Sequence, residues 1–333
     1  MSDQPIAAKL SAGIQTWPVA GSFIIARGAK THVDVVTVEL SDASFAGHGE
    51  GTAIYYHGET PQSVLDQVMT MEARLRDGMS RTDLLRDMPR GAARNALDCA
   101  LWDLEAKRGG RPAWALAGLE GIAPRTTAFT ISLGEPGKME ADARAAAPVY
   151  PLLKLKLAGE GDIDRVAAVR RGAPDARIIV DANESWTGRD VAAEAAALLP
   201  YGVELIEQPV KAGFDHLLDG IASPIPLCAD ESCQDSTDIA RCAGRYDAVN
   251  IKLDKAGGLT EALRLAEKAR AQGLELMVGC MLCTSLAVAP AMIVAQQARW
   301  VDLDGPLLLG ADRDTPIAFE GGVAYPSQPA LWG

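Results

Sequence analysis

The chain is poor in histidine, in aromatic residues and in clustered positive charge, and these shortages narrow the possible functions. It has four histidines and 5% aromatic residues among 333 residues, and 44 acidic side chains outnumber 32 lysines and arginines. A net charge of −12 without a basic stripe disfavours a protein that binds the phosphate backbone of nucleic acids. We therefore expect no nucleic-acid partner.

Long apolar segments and a dense cysteine pattern are also missing. No unbroken apolar run reaches the roughly 20 residues that a membrane-spanning helix needs, and residues 1–12 lack the basic and then apolar segments of a secretory signal. The six cysteines are scattered through the chain, unlike the framework of a small disulfide-rich protein. We therefore expect a cytoplasmic protein without a membrane partner.

Two nucleotide-binding motifs and a zinc motif are absent as well. The chain has no G-x-x-x-x-G-K-[ST] loop and no strand-borne G-x-G-x-x-G, so nucleotide binding has no support. Cys280 and Cys283 form a C-x-x-C pair, but neither a second such pair nor a histidine pair follows. We interpret these two residues as core or loop cysteines.

The order of apolar and helical patterns divides the chain into two main regions. A strand pattern at 33–40 precedes helical patterns at 62–75 and 94–108, which is typical of an α+β domain. From residue 128 onward, eight short apolar segments alternate with helical segments at intervals of roughly 25 residues, which predicts parallel β-α units closed into a barrel. The predicted parts are an α+β capping domain at 1–121, a barrel at 122–310, and a tail at 311–333 that packs on the capping domain.

Ionisable residues stand where the predicted barrel strands end. Lysine and aspartate are costly to bury, and β-rich apolar segments usually exclude them. Because the carboxyl ends of barrel strands meet at one mouth, such residues form a ring of charge where active sites are built. The ring runs from the second to the eighth strand and consists of Lys154, Lys156, Asp181, Glu207, Asp230, Lys252, Asp302 and Asp304.

Three of these acids, Asp181, Glu207 and Asp230, follow adjacent strands, so their carboxylates can meet at one point. Oxygen ligands without histidine or cysteine suit a hard divalent cation, Mg²⁺ first and Mn²⁺ next. Such an ion would also relieve the repulsion among three carboxylates. We therefore expect a Mg²⁺ site, with Mn²⁺ as a possible substitute.

The lysines predict proton transfer on two faces of a substrate. Lys154 and Lys156 are two residues apart on one strand and project to the same side, whereas Lys252 follows a strand on the opposite side of the barrel. Two ammonium groups beside a metal destabilise each other's charge, which should lower the pKa of at least one of them. A base on each face of a carbon acid, with a metal to stabilise the enediolate, predicts racemisation or epimerisation.

Five motifs in order carry a resemblance to the enolase superfamily, muconate-lactonising subgroup. They are Lys154-Leu-Lys156, Asp181-Ala-Asn183-Glu184, Glu207-Gln-Pro209, Ala229-Asp230-Glu231-Ser232 and Asn250-Ile-Lys252. The resemblance implies a capping α+β domain on a modified (β/α)₇β TIM barrel. It also implies that Lys156 and Lys252 are the acid/base pair, that Lys154 is an auxiliary charge, and that the three acids bind Mg²⁺.

The histidines and the eighth strand narrow the reaction within that superfamily. None of the four histidines ends a barrel strand, which argues against the branch that pairs a lysine with a His–Asp dyad. Asp302 and Asp304 lie two residues apart at the substrate end of the mouth, where a pair of acids suits a cationic α-ammonium group. This Asp-x-Asp resembles the signature of dipeptide epimerases, in which the pair holds the N-terminal amine.

Further resemblances concern the side chain of the substrate. The segment 23–28 is similar to a lid-loop segment of dipeptide epimerases that act on L-Ala-D/L-Glu, which implies that Arg27 meets the glutamate carboxylate through its planar fork. Segments 91–103 and 278–285 resemble the same group. Thr130 and Ser285 are predicted at further positions of the mouth, where they could hydrogen-bond the substrate.

These patterns together predict a Mg²⁺-dependent isomerase that epimerises a dipeptide at the α-carbon of its second residue, with L-Ala-D-Glu and L-Ala-L-Glu as the expected pair, in murein peptide metabolism. Two alternatives stay open: an N-acyl (N-succinyl) amino acid racemase or o-succinylbenzoate synthase of the same subgroup, and a catalytically silent barrel that binds a metal and a ligand. The sequence leaves open the preference at the second residue and the oligomeric state, a homo-oligomer included.

Overall fold

A computed structural model describes residues 3–25 and 28–333 and contains three β-sheets among them. The strands are β1 (Lys9–Ile25), β2 (Gly28–Ser41), β3 (Ala46–Gly51), β4 (Arg125–Thr126), β5 (Phe129–Ile131), β6 (Leu152–Lys156), β7 (Arg177–Asp181), β8 (Val203–Glu207), β9 (Leu227–Ala229), β10 (Ala248–Ile251), β11 (Glu275–Gly279), β12 (Trp300–Asp302), β13 (Phe319–Glu320) and β14 (Val323–Ala324).

Helices surround these sheets. They are α1 (Pro61–Met69), α2 (Glu72–Asp77), α3 (Arg81–Asp87), α4 (Ala92–Gly109), α5 (Ala113–Leu116), α6 (Pro136–Ala146), α7 (Asp162–Gly172), α8 (Val191–Leu198), α9 (Ile239–Cys242), α10 (Leu253–Ala256), α11 (Leu259–Ala271) and α12 (Ser285–Ala295). Short 3₁₀ turns lie at Tyr55–His57, Leu199–Tyr201, Asp215–Leu218 and Gly305–Leu308. Among the described residues, no helix combines the length and the apolar character that crossing a bilayer requires.

The N-terminal sheet packs directly on helix α4. Strands β1, β2 and β3 pair in that order and antiparallel. The glycines of β3 let the helix approach closely, since a Cβ at Gly49 would lie 2.0 Å from the carbonyl oxygen of Ala96. Gly47 and Gly51 meet the helix in the same way, one turn to either side. The sheet and α4 thereby form the core of the capping region.

The second sheet forms the predicted barrel. Eight strands follow one another in the order β5 to β12, and every neighbouring pair is parallel. The circle is completed by the backbone N–H of Ala128, which donates to the carbonyl oxygen of Val301 at 2.8 Å. One apolar layer closes the interior with a single residue from each strand or its start: Ala128, Leu152, Ile179, Leu205, Cys228, Ala248, Met277 and Trp300.

The C-terminal segment returns to the first part of the chain. Strands β13 and β14 form the third sheet with β4. The indole N–H of Trp332 donates to the carbonyl oxygen of Cys99 in α4, at 3.0 Å, and the Gly333 N–H donates to Asp103. The domain boundaries after residues 121 and 310 remain predictions.

Two local features differ from the patterns in the sequence. The helical pattern at 62–75 is two helices, α1 and α2, because the hydroxyl of Thr70 donates to the carbonyl oxygen of Gln67 at 2.6 Å and ends the first helix. Strand β1 spans 17 residues although it contains Pro18, and its register with β2 shifts between Pro18 and Phe23.

Candidate active site

Alternation of side chains along the barrel strands brings the predicted charged residues to one end of the barrel. On β6 the residues Leu152, Lys154 and Lys156 face the interior in succession, while Leu153 and Leu155 belong to the core under the helices. The interior apolar layer thus forms the floor, and a charged layer lies above it. A cavity of about 220 Å³ opens there and is lined by the barrel, by residues 28–30 and by residues 52, 53, 55 and 56.

Lys154 is the centre of a buried ion-pair cluster. Its Nζ lies 2.7 Å from Asp302 Oδ2, 2.5 Å from Glu207 Oε2 and 3.6 Å from Asp181 Oδ2. Burial alone would lower the pKa of this ammonium group, but the three carboxylates outweigh burial and hold its pKa well above the usual value. The lowered pKa expected for one lysine of the pair is therefore not found at Lys154, because the carboxylates contact it directly.

Lys156 and Lys252 lie on opposite sides of the cavity. The Nζ of Lys156 is 2.7 Å from Asp181 Oδ2, and the Nζ of Lys252 is 2.7 Å from Asp230 Oδ2. Strands β6 and β10 are separated by β7, β8 and β9 in a barrel of eight strands, so the two lysines approach a ligand from opposite directions. Both side chains line the cavity.

Asp181, Glu207 and Asp230 come from the ends of three adjacent strands, and each is at most 2% exposed. Burial and the neighbouring Asp181 raise the pKa of Glu207, and this outweighs the lowering effect of Lys154 and Lys252. In the part of the chain that the structure describes, no three acidic, histidine or cysteine side chains converge on one point as a formed metal site. Each of the three carboxylates instead contacts a lysine.

The donor set nevertheless fits a hard divalent cation. Its atoms are carboxylate oxygens only, which Mg²⁺ prefers. Asp181, Glu207 and Asp230 would hold such an ion, and its positive charge would compensate their carboxylates alongside the lysine ammonium groups. The residues are thus compatible with the predicted Mg²⁺ site.

The two acids of the eighth strand differ in their surroundings. Asp304 Oδ2 accepts a hydrogen bond from the backbone N–H of Thr130 at 2.7 Å, and burial together with Asp302 raises the pKa of Asp304 to about 7. Asp302 contacts Lys154 through Oδ2, while its Oδ1 is buried and has no hydrogen-bond partner among the described residues. An unpartnered carboxylate oxygen beside a cavity fits a cationic ligand.

Two family models match most of the chain. The description "Mandelate racemase / muconate lactonizing enzyme, N-terminal domain" matches residues 10–118, and "Enolase C-terminal domain-like" matches residues 138–329. The chain belongs to the mandelate racemase/muconate lactonizing enzyme family of the enolase superfamily. The match confirms the predicted family and its fold of a capping domain on a barrel.

Two relatives of this chain have different named activities. The chain is 45% identical over 318 residues to the L-Ala-D/L-Glu epimerase of Escherichia coli K12, which covers 93% of this chain and 97% of that protein. It is 42% identical over 301 residues to the N-acetyl-D-glutamate racemase of a Pseudoalteromonas species, which covers 90% of this chain and 95% of that protein.

Solved structures of the family are similar over nearly the whole chain. An Agrobacterium tumefaciens enolase family member with homology to dipeptide epimerases, with bound sodium and L-Ala-L-Glu, is 47% identical. The match has a TM-score of 0.96 and covers 98% of this chain and 100% of that one. Other dipeptide epimerases of the family, 27% identical to this chain, are solved in complex with Mg and a dipeptide.

Of the three other predicted substrate contacts, Ser285 lies away from the cavity, Thr130 lines it, and Arg27 is not among the described residues. Ser285 is fully buried at the start of α12, where its hydroxyl donates to Asp312 and accepts from the Ile317 N–H, so it caps a loop of the C-terminal segment. It does not line the cavity, so the geometry does not support its predicted contact with the substrate. Arg27 lies outside the described residues. Thr130, in contrast, lines the cavity.

Sequence reasoning missed two lysines of this family member. Lys30 follows the lid-loop motif and lines the cavity near Tyr55, where burial lowers its pKa. Lys255 is fully buried, with its Nζ 2.6 Å from Asp230 Oδ1 and in contact with the carbonyl oxygens of Cys233 and Asn250. The sequence feature that could have indicated Lys255 is its position three residues after Lys252, about one helical turn away.

Proposed function

We propose that this protein epimerises a dipeptide at the α-carbon of its second residue, with L-Ala-D-Glu and L-Ala-L-Glu as the preferred pair. The observation that carries the proposal is the placement of Lys156 and Lys252 on opposite sides of one cavity, with three carboxylates between them. One lysine can remove the α-hydrogen from one face, and the other can return a proton to the opposite face. The 45% identity to the E. coli enzyme supports the same reaction.

We propose that Asp181, Glu207 and Asp230 hold Mg²⁺. When bound, the ion supplies positive charge that stabilises the negative charge developing on the substrate's carboxylate. The oxygen-only donor set and the raised pKa of Glu207 support this role, as do the Mg-bound structures of family members. Lys154 then balances the remaining charge between Glu207 and Asp302.

The ends of the substrate are assigned from the charges that line the cavity. Asp302 and Asp304 hold the α-ammonium group of the first residue, because both line the cavity and Asp302 Oδ1 lacks a partner among the described residues. Lys30 lies at the capping side of the cavity and can pair with an acidic side chain on the second residue. Arg27 keeps its predicted role at the same side chain.

A second candidate is racemisation of an N-acyl acidic amino acid. The 42% identity to an N-acetyl-D-glutamate racemase favours it, and a pKa of about 7 for Asp304 leaves that acid partly neutral near neutral pH. A neutral Asp304 would tolerate an acyl group in place of an amine. We place this activity second because Asp302 and Asp304 together suit a cation better. Cytoplasmic location and a possible homo-oligomer remain predictions.

Proton NMR in D₂O tests the proposal. The enzyme with Mg²⁺ is given L-Ala-L-Glu, a panel of L-Ala-L-Xaa dipeptides, and N-acetyl- and N-succinyl-glutamate. We expect the α-hydrogen signal of the second residue to fade while the signals of the other diastereomer grow, fastest for the Glu dipeptide. Exchange only with the N-acyl compounds would replace the proposal with the second candidate, and no exchange with any compound would support a silent barrel.

A further inference from the structure

Asp254 is a buried acid that links the barrel to the capping region. It lies in α10, two residues after Lys252, and is 4% exposed. Its Oδ1 accepts hydrogen bonds from the backbone N–H of Thr52 and from Nδ2 of Asn95 in α4, each at 2.9 Å. One carboxylate oxygen thus joins the turn that carries Lys252 to two elements of the N-terminal part.

The segment that Asp254 holds forms one wall of the cavity. Thr52, Ala53, Tyr55 and Tyr56 line the cavity. The hydroxyl of Thr52 donates to the carbonyl oxygen of Leu282, another lining residue, at 3.2 Å. Asp254 therefore anchors a set of contacts among three segments that contribute residues to the lining of the cavity.

This wall stands on the side of Lys252. Lys252 lines the same cavity as Thr52 and Tyr56, and it comes two residues before Asp254 in the chain. Burial raises the pKa of Asp254 to about 7. An apolar side chain at this position would take the acceptor away from the Thr52 N–H and from the Asn95 amide, which is costly for buried donors. Asp254 therefore joins two segments at a point two residues from Lys252.

We propose that Asp254 is a positioning residue, which holds the segment 52–56 against the turn of Lys252 and so fixes the Lys252 side of the cavity. The inference deepens the proposed epimerase function and rests on it. Asp254 does not contact the reacting carbon. It acts through Lys252 and the wall, so its loss should disturb proton transfer on one face of the substrate and spare the face of Lys156.

The expected difference between the two faces can be measured, because each epimer presents its α-hydrogen to a different lysine. For the epimer whose α-hydrogen faces Lys156, deprotonation and return of a deuteron by the same lysine give exchange without inversion, while inversion needs Lys252. For the other epimer, exchange itself begins with Lys252. A misplaced Lys252 therefore lowers inversion of the first epimer, and both exchange and inversion of the second.

The experiment compares the full-length variants Asp254→Ala and Asp254→Asn with a matched control, Asp98→Ala, by NMR in D₂O starting from each epimer. Asp98 is also fully buried and also joins α4 to the barrel, since it accepts from the N–H and hydroxyl of Thr260 at 2.9 and 2.6 Å, but it does not line the cavity. Asp254→Asn keeps an oxygen that can accept both bonds.

We expect kcat/KM for inversion to fall about tenfold or more in Asp254→Ala, with exchange of the Lys156-facing epimer within about threefold of wild type. Asp254→Asn should restore inversion, and Asp98→Ala should change thermal stability without changing the ratio of exchange to inversion. An equal loss for both epimers, or the same change in Asp98→Ala, would overturn the proposal. If Asp254→Ala does not fold, Asn95→Ala decides between the two outcomes in the same way.

The measurement on the wild-type protein distinguishes a failure of the proposed epimerase function from a failure of the proposed role of Asp254. A wild-type protein that exchanges no dipeptide α-hydrogen contradicts the epimerase function, and with it the role of Asp254. A wild-type protein that epimerises, with variants that lose exchange equally from both epimers, contradicts only the role of Asp254.

Discussion

The Nζ of Lys154 lies 2.7 Å from Oδ2 of Asp302, and this contact joins the second strand of the barrel to the eighth. The same ammonium group lies 2.5 Å from Glu207. The acids proposed to hold a substrate amine and those proposed to hold a cation are therefore connected through one buried lysine. Lys154 thus contributes to the charge balance of both groups of acids.

The first prediction concerns the variant Lys154→Met. Without Mg²⁺, it leaves Asp302 and Glu207 without their cation, so we expect a loss of about 3–5 kcal/mol in the free energy of unfolding. Added Mg²⁺ should restore more stability in the variant than in wild type, because the ion binds the folded state and compensates the buried carboxylate charge. Thermal unfolding with and without Mg²⁺ measures both effects.

Lys138→Met is the control for that variant. It removes a pair with Asp142 at 2.6 Å on the surface of α6, where the lysine side chain is 64% exposed. Exposed pairs of this kind contribute about 0.5 kcal/mol or less. Equal unfolding temperatures for the two variants without Mg²⁺ would contradict the central role of Lys154.

The second prediction concerns the two proposed bases. Lys156→Met and Lys252→Met should each lower epimerisation by about 10³-fold or more, since inversion needs a proton donor and an acceptor on opposite faces. Each variant should still exchange the α-hydrogen of one epimer with D₂O, and the two variants should retain opposite epimers. NMR from each epimer, with Mg²⁺-dependent unfolding to check the ion site, measures this. A variant that keeps inverting would contradict the two-base mechanism.

Much of the barrel could be predicted because its signal is periodic. A strand such as β6 carries Lys154 and Lys156 at a spacing of two, and that spacing alone places both on the interior face. The family and its fold were likewise predictable from the ordered motifs, and the family models confirm them. The roles assigned to individual site residues remain proposals.

The sequence alone could not predict contacts between residues that lie far apart in the chain. Strand β1 was not predicted, because Gly13, Pro18 and Gly21 interrupt its pattern and its stability comes from pairing with β2. Ser285 has the right distance along the chain from β11, yet its hydroxyl bonds with Asp312, which only the folded tail brings near. The contact of Asp254 with Thr52 likewise joins residues 202 positions apart.

The third prediction is a pH dependence from Asp304. Burial and Asp302 raise its pKa from the ordinary 3.8 to about 7, so its contribution to stability is full below the unfolded value and is lost as pH rises through about 7. Binding of a substrate ammonium needs the ionised form, so KM for the dipeptide should fall as pH rises through the same range. Initial rates on both sides of this pH give the profile.

A substrate without an amine is the control for that profile. N-acetyl-glutamate, if accepted, should show no fall in KM over the same range, because it offers Asp304 no positive charge. Asp304→Asn should raise KM for the dipeptide and flatten its pH dependence. A profile for the dipeptide that is unchanged in Asp304→Asn would remove Asp304 from amine binding.

The fourth prediction concerns side-chain preference at Lys30. Lys30→Met removes a cation from the capping side of the cavity, so kcat/KM for L-Ala-L-Glu should fall by roughly 10- to 100-fold, the range of a lost charged hydrogen bond. The value for L-Ala-L-Met should hold or rise. Competition between the two dipeptides measures the ratio, and Lys30→Arg, which keeps the charge, should retain the preference for Glu. An unchanged ratio in Lys30→Met would assign that preference to another residue.

The last prediction tests the space around Lys252. A Cβ at Gly279, at the end of β11, would lie 2.8 Å from Asn250 Oδ1 and 3.2 Å from Lys252 Cε. Asn250 donates to Glu207 at 2.6 Å, so both neighbours are held and have little room to move. Gly279→Ala should therefore lower kcat for epimerisation by about tenfold or more through displacement of Lys252.

Gly137→Ala is the matched control, since a Cβ there meets nothing within 4 Å and the residue lies inside helix α6. It should leave kcat unchanged and raise stability by about 0.4–1 kcal/mol, because alanine loses less conformational freedom on folding. Steady-state rates and thermal unfolding of both variants make the comparison. An unchanged kcat in Gly279→Ala would contradict the prediction that epimerisation depends on the present position of Lys252.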